Sequence, residues 1–282
     1  MKRFWFRLTG VERFSLILLV SLTLGAIVIP WFARDPLAIS DIVGSRLVGP
    51  GGSDANGHFH LLGTDRFGRD LYSRVLYGGR VSLIVGVSVA LLSTVIGLAI
   101  GLSAGYLRAV DAIVMRIMDG LMSIPPVLLA IALMALTRAS VENVIAAITL
   151  AEVPRVVRLV RSLVLTLREQ PYVEAAVAAG TTLPRILLRH ILPNTMAPLL
   201  VQATYVCASA MITEAILSFI GAGTPPNIPS WGNIMAEGRS MFQLAGYLVY
   251  FPGICLSVTV LAVNLLGDGL RDALDPRLAR RM

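Results

Sequence analysis

The sequence predicts an all-α membrane protein with six transmembrane helices, and three observations carry that prediction. First, its 282 residues are 56% hydrophobic and only 15% charged, with a mean hydropathy of +0.76, whereas roughly a quarter of a soluble domain is charged. A single core of this size cannot bury so much apolar side chain, so its natural solvent is lipid. Second, apolar runs recur that approach the ~20 residues a helix needs to cross roughly 30 Å of hydrocarbon. Third, basic residues gather at the ends of those runs, as they do on the cytoplasmic side of membrane proteins.

The first span is expected at about 14–33, ended by Pro30 and the polar stretch after it. It is longer than a signal-peptide core and no A-x-A-like cleavage site follows, so it reads as a retained helix. A polar segment follows, with Pro50-Gly51-Gly52 as a turn signal. The second span, about 81–107, is the cleanest. The third runs over about 112–137; Arg116 and Asp119 are spaced to pair, and Pro125-Pro126 kinks or breaks it. The fourth, about 141–163, is kinked at Pro154. Beyond it Arg155, Arg158 and Arg161 recur every three residues opposite an apolar face, the pattern of an interfacial segment. The fifth covers about 198–222, and the sixth about 247–267 with an irregularity expected at Pro252-Gly253. Three regions result: an N-terminal helix and external loop (1–80), a transmembrane core (81–270) and a cytoplasmic tail (271–282).

Orientation follows from charge. With the N-terminus inside, sixteen of the 24 basic residues fall on cytoplasmic segments. These are Lys2, Arg3, Arg7, Arg13, Arg108, Arg116, Arg155, Arg158, Arg161, Arg168, Arg185, Arg189, Arg271, Arg277, Arg280 and Arg281. The exception is the first external loop, where Arg34, Arg46, Arg66, Arg69, Arg74 and Arg80 are nearly neutralised by Asp35, Asp41, Asp54, Asp65 and Asp70. Both termini are therefore expected in the cytoplasm. A net charge of +7 distributed this way serves topology rather than nucleic acid. Cys207 and Cys255 lie inside apolar runs and do not suggest a disulfide framework. There is no low-complexity segment and no clear internal repeat. The chain has no G-x-x-x-x-G-K-[ST] phosphate loop, no H-E-x-x-H and no G-x-S-x-G, so it carries none of these nucleotide-binding or hydrolytic signatures.

Several side chains invite a functional reading beside a structural one. Ser93, Gly97, Gly101 and Gly105 put a small residue on one face of the second span at every fourth position. They suit a tight seam in a moving pore or ordinary bundle packing. Glu214 lies inside the fifth apolar span, where an ionisable group is costly. It could meet a cationic part of a solute or pair within the bundle. Asn264, near the end of the last span, could line a path or bond between helices. His58 and His60 flank Phe59 at alternate spacing, which a metal site could use, but neither a Cys nor a third His is near. Arg271 and Asp275 are spaced as a solvated surface pair.

The most specific segment lies between the fourth and fifth spans. Gln170-Pro171-Tyr172-Val173-Glu174-Ala175-Ala176-Val177-Ala178-Ala179-Gly180 is followed by His190-Ile191-Leu192-Pro193-Asn194. Glu174 to Ala179 are good helix formers. Gly180 can end that helix in a left-handed turn, Pro184 fits the first turn of a second short helix, and Pro193 is expected to end that one. The segment resembles the EAA loop of ABC importer permeases. Further stretches resemble the dipeptide/oligopeptide permease C subunits. They are Leu62-Gly63-Thr64-Asp65-Arg66-Phe67-Gly68-Arg69-Asp70 with Ser73-Arg74 and Gly79-Arg80-Val81-Ser82-Leu83, then Leu217-Ser218-Phe219-Ile220-Gly221, Pro229-Ser230-Trp231-Gly232-Asn233, and Asn264 through Pro276. The matches span about 60 to 276. Leu61, where Pro is usual, and Ala245-Gly246-Tyr247, in place of Ala-Pro-Trp, depart from the pattern.

The resemblance implies a type I ABC importer permease fold in the bacterial inner membrane. It implies that Glu174, Ala175, Ala176, Gly180, Ile191, Leu192 and Pro193 couple the chain to an ATPase, with Glu174 facing the ATPase groove. The implied partners are a second homologous permease, two cytoplasmic ATPase subunits and an external solute-binding protein, in membrane lipid and without nucleic acid. The chain itself is expected to bind no cofactor, ATP and Mg being used by the ATPases. Peptides are the implied cargo. Nickel chelates, opines and glutathione are carried by relatives. An ion-coupled secondary transporter would need inverted repeats and several midplane charges, and an intramembrane enzyme would need paired catalytic groups, which the sequence does not offer.

Overall fold

A computed structural model of the chain describes residues 10–28, 35–39 and 43–274. Helix α1 covers Gly10–Val28. A single 3-10 turn at Val43–Ser45 leads to a two-stranded hairpin, β1 Gly52–Ser53 and β2 Phe59–His60, with Gly52 opposite His60 and Ser53 opposite Phe59. Then come α2 Leu71–Tyr106, α3 Arg108–Met122, α4 Pro126–Ala135 and α5 Val141–Leu167. Two short helices, α6 Pro171–Ala178 and α7 Leu183–Ile186, precede α8 Leu192–Phe219. Helices α9 Trp231–Arg239 and α10 Tyr247–Leu274 complete the bundle. Oxygen-bearing side chains start three of these helices, satisfying N–H groups that the first turn leaves open. Asp70 accepts from Ser73 N at 2.8 Å, Ser140 from Asn143 N at 3.1 Å and Ser230 from Asn233 N at 3.2 Å.

Helix α2 is the spine. It runs parallel to α5 and antiparallel to α8, and α10 packs on α8, α9 and α1. The core is aliphatic: Val85, Val89, Val144, Ile148, Val156, Val160, Val164, Val206, Met211 and Leu217 are buried together. The small-residue face makes the α2–α5 contact. A Cβ added at Gly97, Gly101 or Gly105 would stand 2.6 Å from the Cβ of Val156, Val160 or Val164 respectively. This is close bundle packing, the plainer of the two readings of that stripe. The opposite face of α2 exposes Val87, Leu91 and Val95. Leu71–Tyr106, Leu183–Phe219 and Tyr247–Asp272 are long and apolar enough to cross a membrane, and the bent α3–α4 pair would make a fourth span.

At the hairpin end, residues 45–70 fold onto the ends of α2, α9 and α10. Asp65 Oδ2 accepts from Arg69 Nε and Arg74 Nη1, each at 2.6 Å. Glu237 on α9 accepts from Arg74 at 2.8 and 2.9 Å and also from Arg69 Nη2. The Trp231 indole donates to Val75 O at 2.8 Å, and the Tyr247 hydroxyl donates to Thr64 O at 2.9 Å.

Several expectations change. Helix α2 begins at Leu71, earlier than position 81, because Asp70 caps it there. Of the two outcomes expected at Pro125-Pro126 the break is the one found, with α3 and α4 meeting at 86° there. Pro193 does not end a helix. A π turn over Leu187–Ile191 carries α7 into α8, where Pro193 occupies the first turn and its missing N–H costs no helical bond. Pro154 and Pro252, the positions expected to carry a kink and an irregularity, lie inside α5 and α10. Asp119 pairs with Arg158 at 2.5 Å instead of Arg116, and Arg161 pairs with Asp111 through both carboxylate oxygens. The arginine row of α5 therefore faces α3 as well as the surface. The proposed Arg271–Asp275 pair, Pro30 and the basic residues Lys2, Arg3, Arg7, Arg277, Arg280 and Arg281 lie, wholly or in part, outside the described residues.

Candidate functional site

The loop between α5 and α8 builds a compact projection. Pro171 at the first turn of α6 presets the helical φ and has no N–H to leave unsatisfied. The helix ends in two crossed hydrogen bonds, Thr181 N to Ala176 O at 3.0 Å and Gly180 N to Val177 O at 2.9 Å. That pairing is the Schellman arrangement, which needs a left-handed residue, and Gly180 supplies it with φ +75°. Val173 alone on α6 is buried, while Tyr172, Glu174, Ala175 and Val177 are exposed. Leu188, beyond the turn, is also exposed. An apolar helical face thus projects from the bundle while one valine anchors it, a form suited to docking. Asn194 Nδ2 donates to the Tyr172 hydroxyl at 3.2 Å and so ties α6 to the start of α8. Ile191 is fully buried, Leu192 half-buried and Pro193 exposed. Glu174, Ala175, Ala176 and Gly180 therefore form the surface of the projection, and Ile191 and Leu192 form its root. A recess of about 560 Å³ beside it is lined by Thr182, Pro184, Arg185, Leu188, Arg189 and Pro193.

The two path candidates are not brought together. Glu214 is fully buried and accepts from Ser218 Oγ at 2.8 Å and Ser82 Oγ at 3.2 Å. Ser218 continues through Thr224 to Ser230 and Asn233, so the carboxyl belongs to a hydroxyl network joining α2, α8 and α9. Asn264 instead lines a recess of about 210 Å³ with Val201, Thr204, Tyr205, Gly267 and Asp268. Thr204 contacts Gly267 and lies ten residues before Glu214, about 15 Å along α8 at 1.5 Å per residue.

The histidines hold the hairpin. His60 Nδ1 lies 2.7 Å from Asp70 Oδ1, and Asp54 Oδ2 lies 3.5 Å from His60 Nε2 and 3.4 Å from His58 Nδ1. Burial raises the Asp54 pKa, but hydrogen bonds from the backbone N–H of His58 and Asn56 and from the two imidazoles outweigh it and hold it at about 2. Among the described residues no group of three or more His, Cys, Asp or Glu is arranged to hold a metal ion.

One polar group escaped the sequence reading. Glu152 on α5 is buried and accepts from Ser209 Oγ on α8 at 2.9 Å, with Arg155 one turn away. The signal was present as an acidic residue within the apolar run 141–163. It was masked by the arginine row, which marked that end as interfacial.

Long apolar helices around an aliphatic core, with a solvent-exposed helical projection at one end, define a polytopic membrane component. The chain belongs to the family of binding-protein-dependent transport system inner membrane components, whose pattern matches residues 93–280. It is 53% identical over 256 residues to a probable peptide ABC transporter permease of Sinorhizobium fredii, covering 91% of this chain and 85% of that one. It is 40% identical to a dipeptide transport system permease of Alkalihalophilus pseudofirmus, covering 94% and 85%. A glutathione transport system permease of Pectobacterium atrosepticum is 43% identical, covering 78% and 73%. The fold is shared with a chain of the inward-facing MetNI methionine ABC transporter, with a TM-score of 0.56 at 22% identity over 72% of this chain and 97% of that one. The protein is a permease subunit of an ABC importer.

Proposed function

We propose that this chain carries peptides across the bacterial inner membrane as one of two permeases in an ATP-driven importer. The similarity to peptide and dipeptide permeases over nearly its whole length carries the choice of cargo. Six spans serve it: α1, α2, the bent α3–α4 pair, α5, α8 and α10, with both termini and α6 in the cytoplasm. Residues 81–270 are the working core, and 271–282 form a cytoplasmic tail. Substrate arrives from an external binding protein. One of the two ATPase subunits seats the exposed face of α6, and Gly180 transmits its motion through the α7–α8 junction. The anchoring of α6 by Val173 and the Asn194–Tyr172 bond supports a lever that moves with α8.

The direct test is uptake. Proteoliposomes holding both permeases and both ATPases should accumulate labelled di- and tripeptides only with ATP and the binding protein. Glutathione and a nickel chelate serve as competing cargoes, and exclusive uptake of the chelate would refute the peptide reading. For topology, single cysteines at Ser53, Thr181 and Arg280, in a background lacking Cys207 and Cys255, are treated with an impermeant thiol reagent. Only the first should label in intact cells; labelling at 181 would overturn the arrangement.

A further inference from the structure

Several charged side chains at the two ends of the bundle form ion pairs. Asp65, Arg69, Arg74 and Glu237 satisfy one another at the hairpin end. Arg161 and Arg158 are matched by Asp111 and Asp119 at the other. Glu152 and Arg155 lie between these levels and form an ion pair without an aligned hydrogen bond between them. Their depth is fixed by the seam, since Gly97 lies against Val156. Gly97 is three residues past Thr94, the midpoint of the uncharged stretch between Arg80 and Arg108. Glu152 and Arg155 therefore sit near the middle of the apolar layer, deeper than an interfacial position. An ionisable group at that depth faces protein or water, because hydrocarbon leaves it unsatisfied.

The geometry sorts the two by role. Glu152 is buried beneath the surface, held by Ser209. Its Oε2 is 3.3 Å from Arg155 Nη1, but neither atom is aligned for a hydrogen bond. The guanidinium leans over the Tyr205 ring, 5.4 Å from its centroid. Arg155 is 38% exposed by its side chain and Tyr205 is 54% exposed, so both open onto the same face of α5 and α8. One turn from Glu152, the Thr149 hydroxyl is buried without a hydrogen-bond partner among the described residues, as is the Gln202 amide nitrogen near Tyr205. This face is polar, half-satisfied and at mid-depth. A solute meeting it encounters the guanidinium first, with the counter-charge behind. The guanidinium is a planar fork of five donors, and its natural complement is a carboxylate taken by two parallel bonds.

We propose that Arg155, propped by Glu152 and the Tyr205 ring, binds the carboxylate of the peptide in transit. The inference rests on the peptide reading above. It gives this chain its own selectivity for a free C-terminus, separate from that of the binding protein.

The test uses the complete transporter in proteoliposomes with one tripeptide and its C-terminal amide, both at saturating binding protein. The ratio of carboxylate to amide uptake is measured for wild type and for Arg155→Gln. Dividing one ratio by the other cancels the binding protein's own preference. Loss of a charge-assisted contact should lower the ratio about tenfold, with ATPase copurification unchanged. Arg155→Lys keeps the charge without the fork and should fall between the two. An unmoved ratio, or an equal fall for both peptides, overturns the site. If Arg155→Gln fails to assemble, Arg155→Lys decides: an intermediate ratio supports the site and a wild-type ratio overturns it. If the assembled wild-type complex hydrolyses ATP yet takes up neither peptide, the peptide reading falls and this inference with it. Uptake of both with an unmoved ratio defeats the site alone.

Discussion

Glycines at the α2–α5 seam and in the loop after α6 exclude a side chain for opposite reasons. At Gly97, Gly101 and Gly105 the backbone is helical, and a neighbour forbids the Cβ, since a valine of α5 stands 2.6 Å from where it would be. At Gly180 nothing lies within 4 Å of an added Cβ, and it is the chain's own φ of +75° that strains one. Gly57, in the hairpin turn, belongs to the second kind, with φ +78° and open space around it. The seam is therefore a property of two helices together, and its failure is a failure to assemble. The loop is a local property, and its failure leaves the bundle standing.

The largest effect should come from Gly101→Leu. Overpacking against Val160 should cost about 3 kcal/mol or more and prevent accumulation of folded protein, read as yield after detergent extraction. A wild-type yield would mean that the seam is loose. The clash can be located with Gly101→Ala, whose loss should be partly recovered by Val160→Ala. The two sites touch, so their effects should not add, and strict additivity in thermal melts would place the strain elsewhere. A smaller effect is expected at Gly180→Val. A side chain in the left-handed region costs about 1–2 kcal/mol, more when branched, spent in the loop alone. The melting curve of the bundle should barely move, and a collapse of the whole fold would erase the distinction between the two kinds of glycine.

The smallest effect concerns the hairpin. The Asp54 pKa is held at about 2, below its ordinary 3.8. A lowered carboxyl pKa contributes stability that is complete above about pH 4 and is lost as the pH falls toward 2. Pepsin digestion from pH 4 down to pH 2 should open the wild-type hairpin only near the lower limit. Asp54→Asn should be cut already at pH 4. Identical cleavage of both would show that the turn is held by Gly57 without Asp54.

How legible these regions were follows from the same physics. Helix spacing alone put Ser93 to Gly105 on one face, because small residues at every fourth position need no knowledge of the partner. That the partner is the valine row of α5 was not legible, since nothing local to α2 specifies it. The turn at Gly180 was legible because its determinants lie within ten residues. Pro193 was misread because a proline before a helix and one after it look alike in sequence, and the π turn that joins α7 to α8 has no sequence mark. Glu152 was missed for a related reason: the depth of an arginine row depends on where the neighbouring helix is centred, which tertiary packing alone fixes. The Asp65–Glu237 network joins residues far apart in the chain, and only the folded chain brings them together.

The central claim is that α6 and its turn couple this permease to ATP hydrolysis. It is tested most directly by Gly180→Val and Glu174→Ala, with peptide uptake and ATPase copurification measured on the same preparations. Gly180→Val should insert and accumulate normally, weaken ATPase docking and abolish uptake, and Glu174→Ala should do the same less severely because neighbouring side chains still fill the contact. Loss of uptake with full ATPase binding would move the defect from docking to transmission of motion. Normal uptake by Gly180→Val would contradict the account.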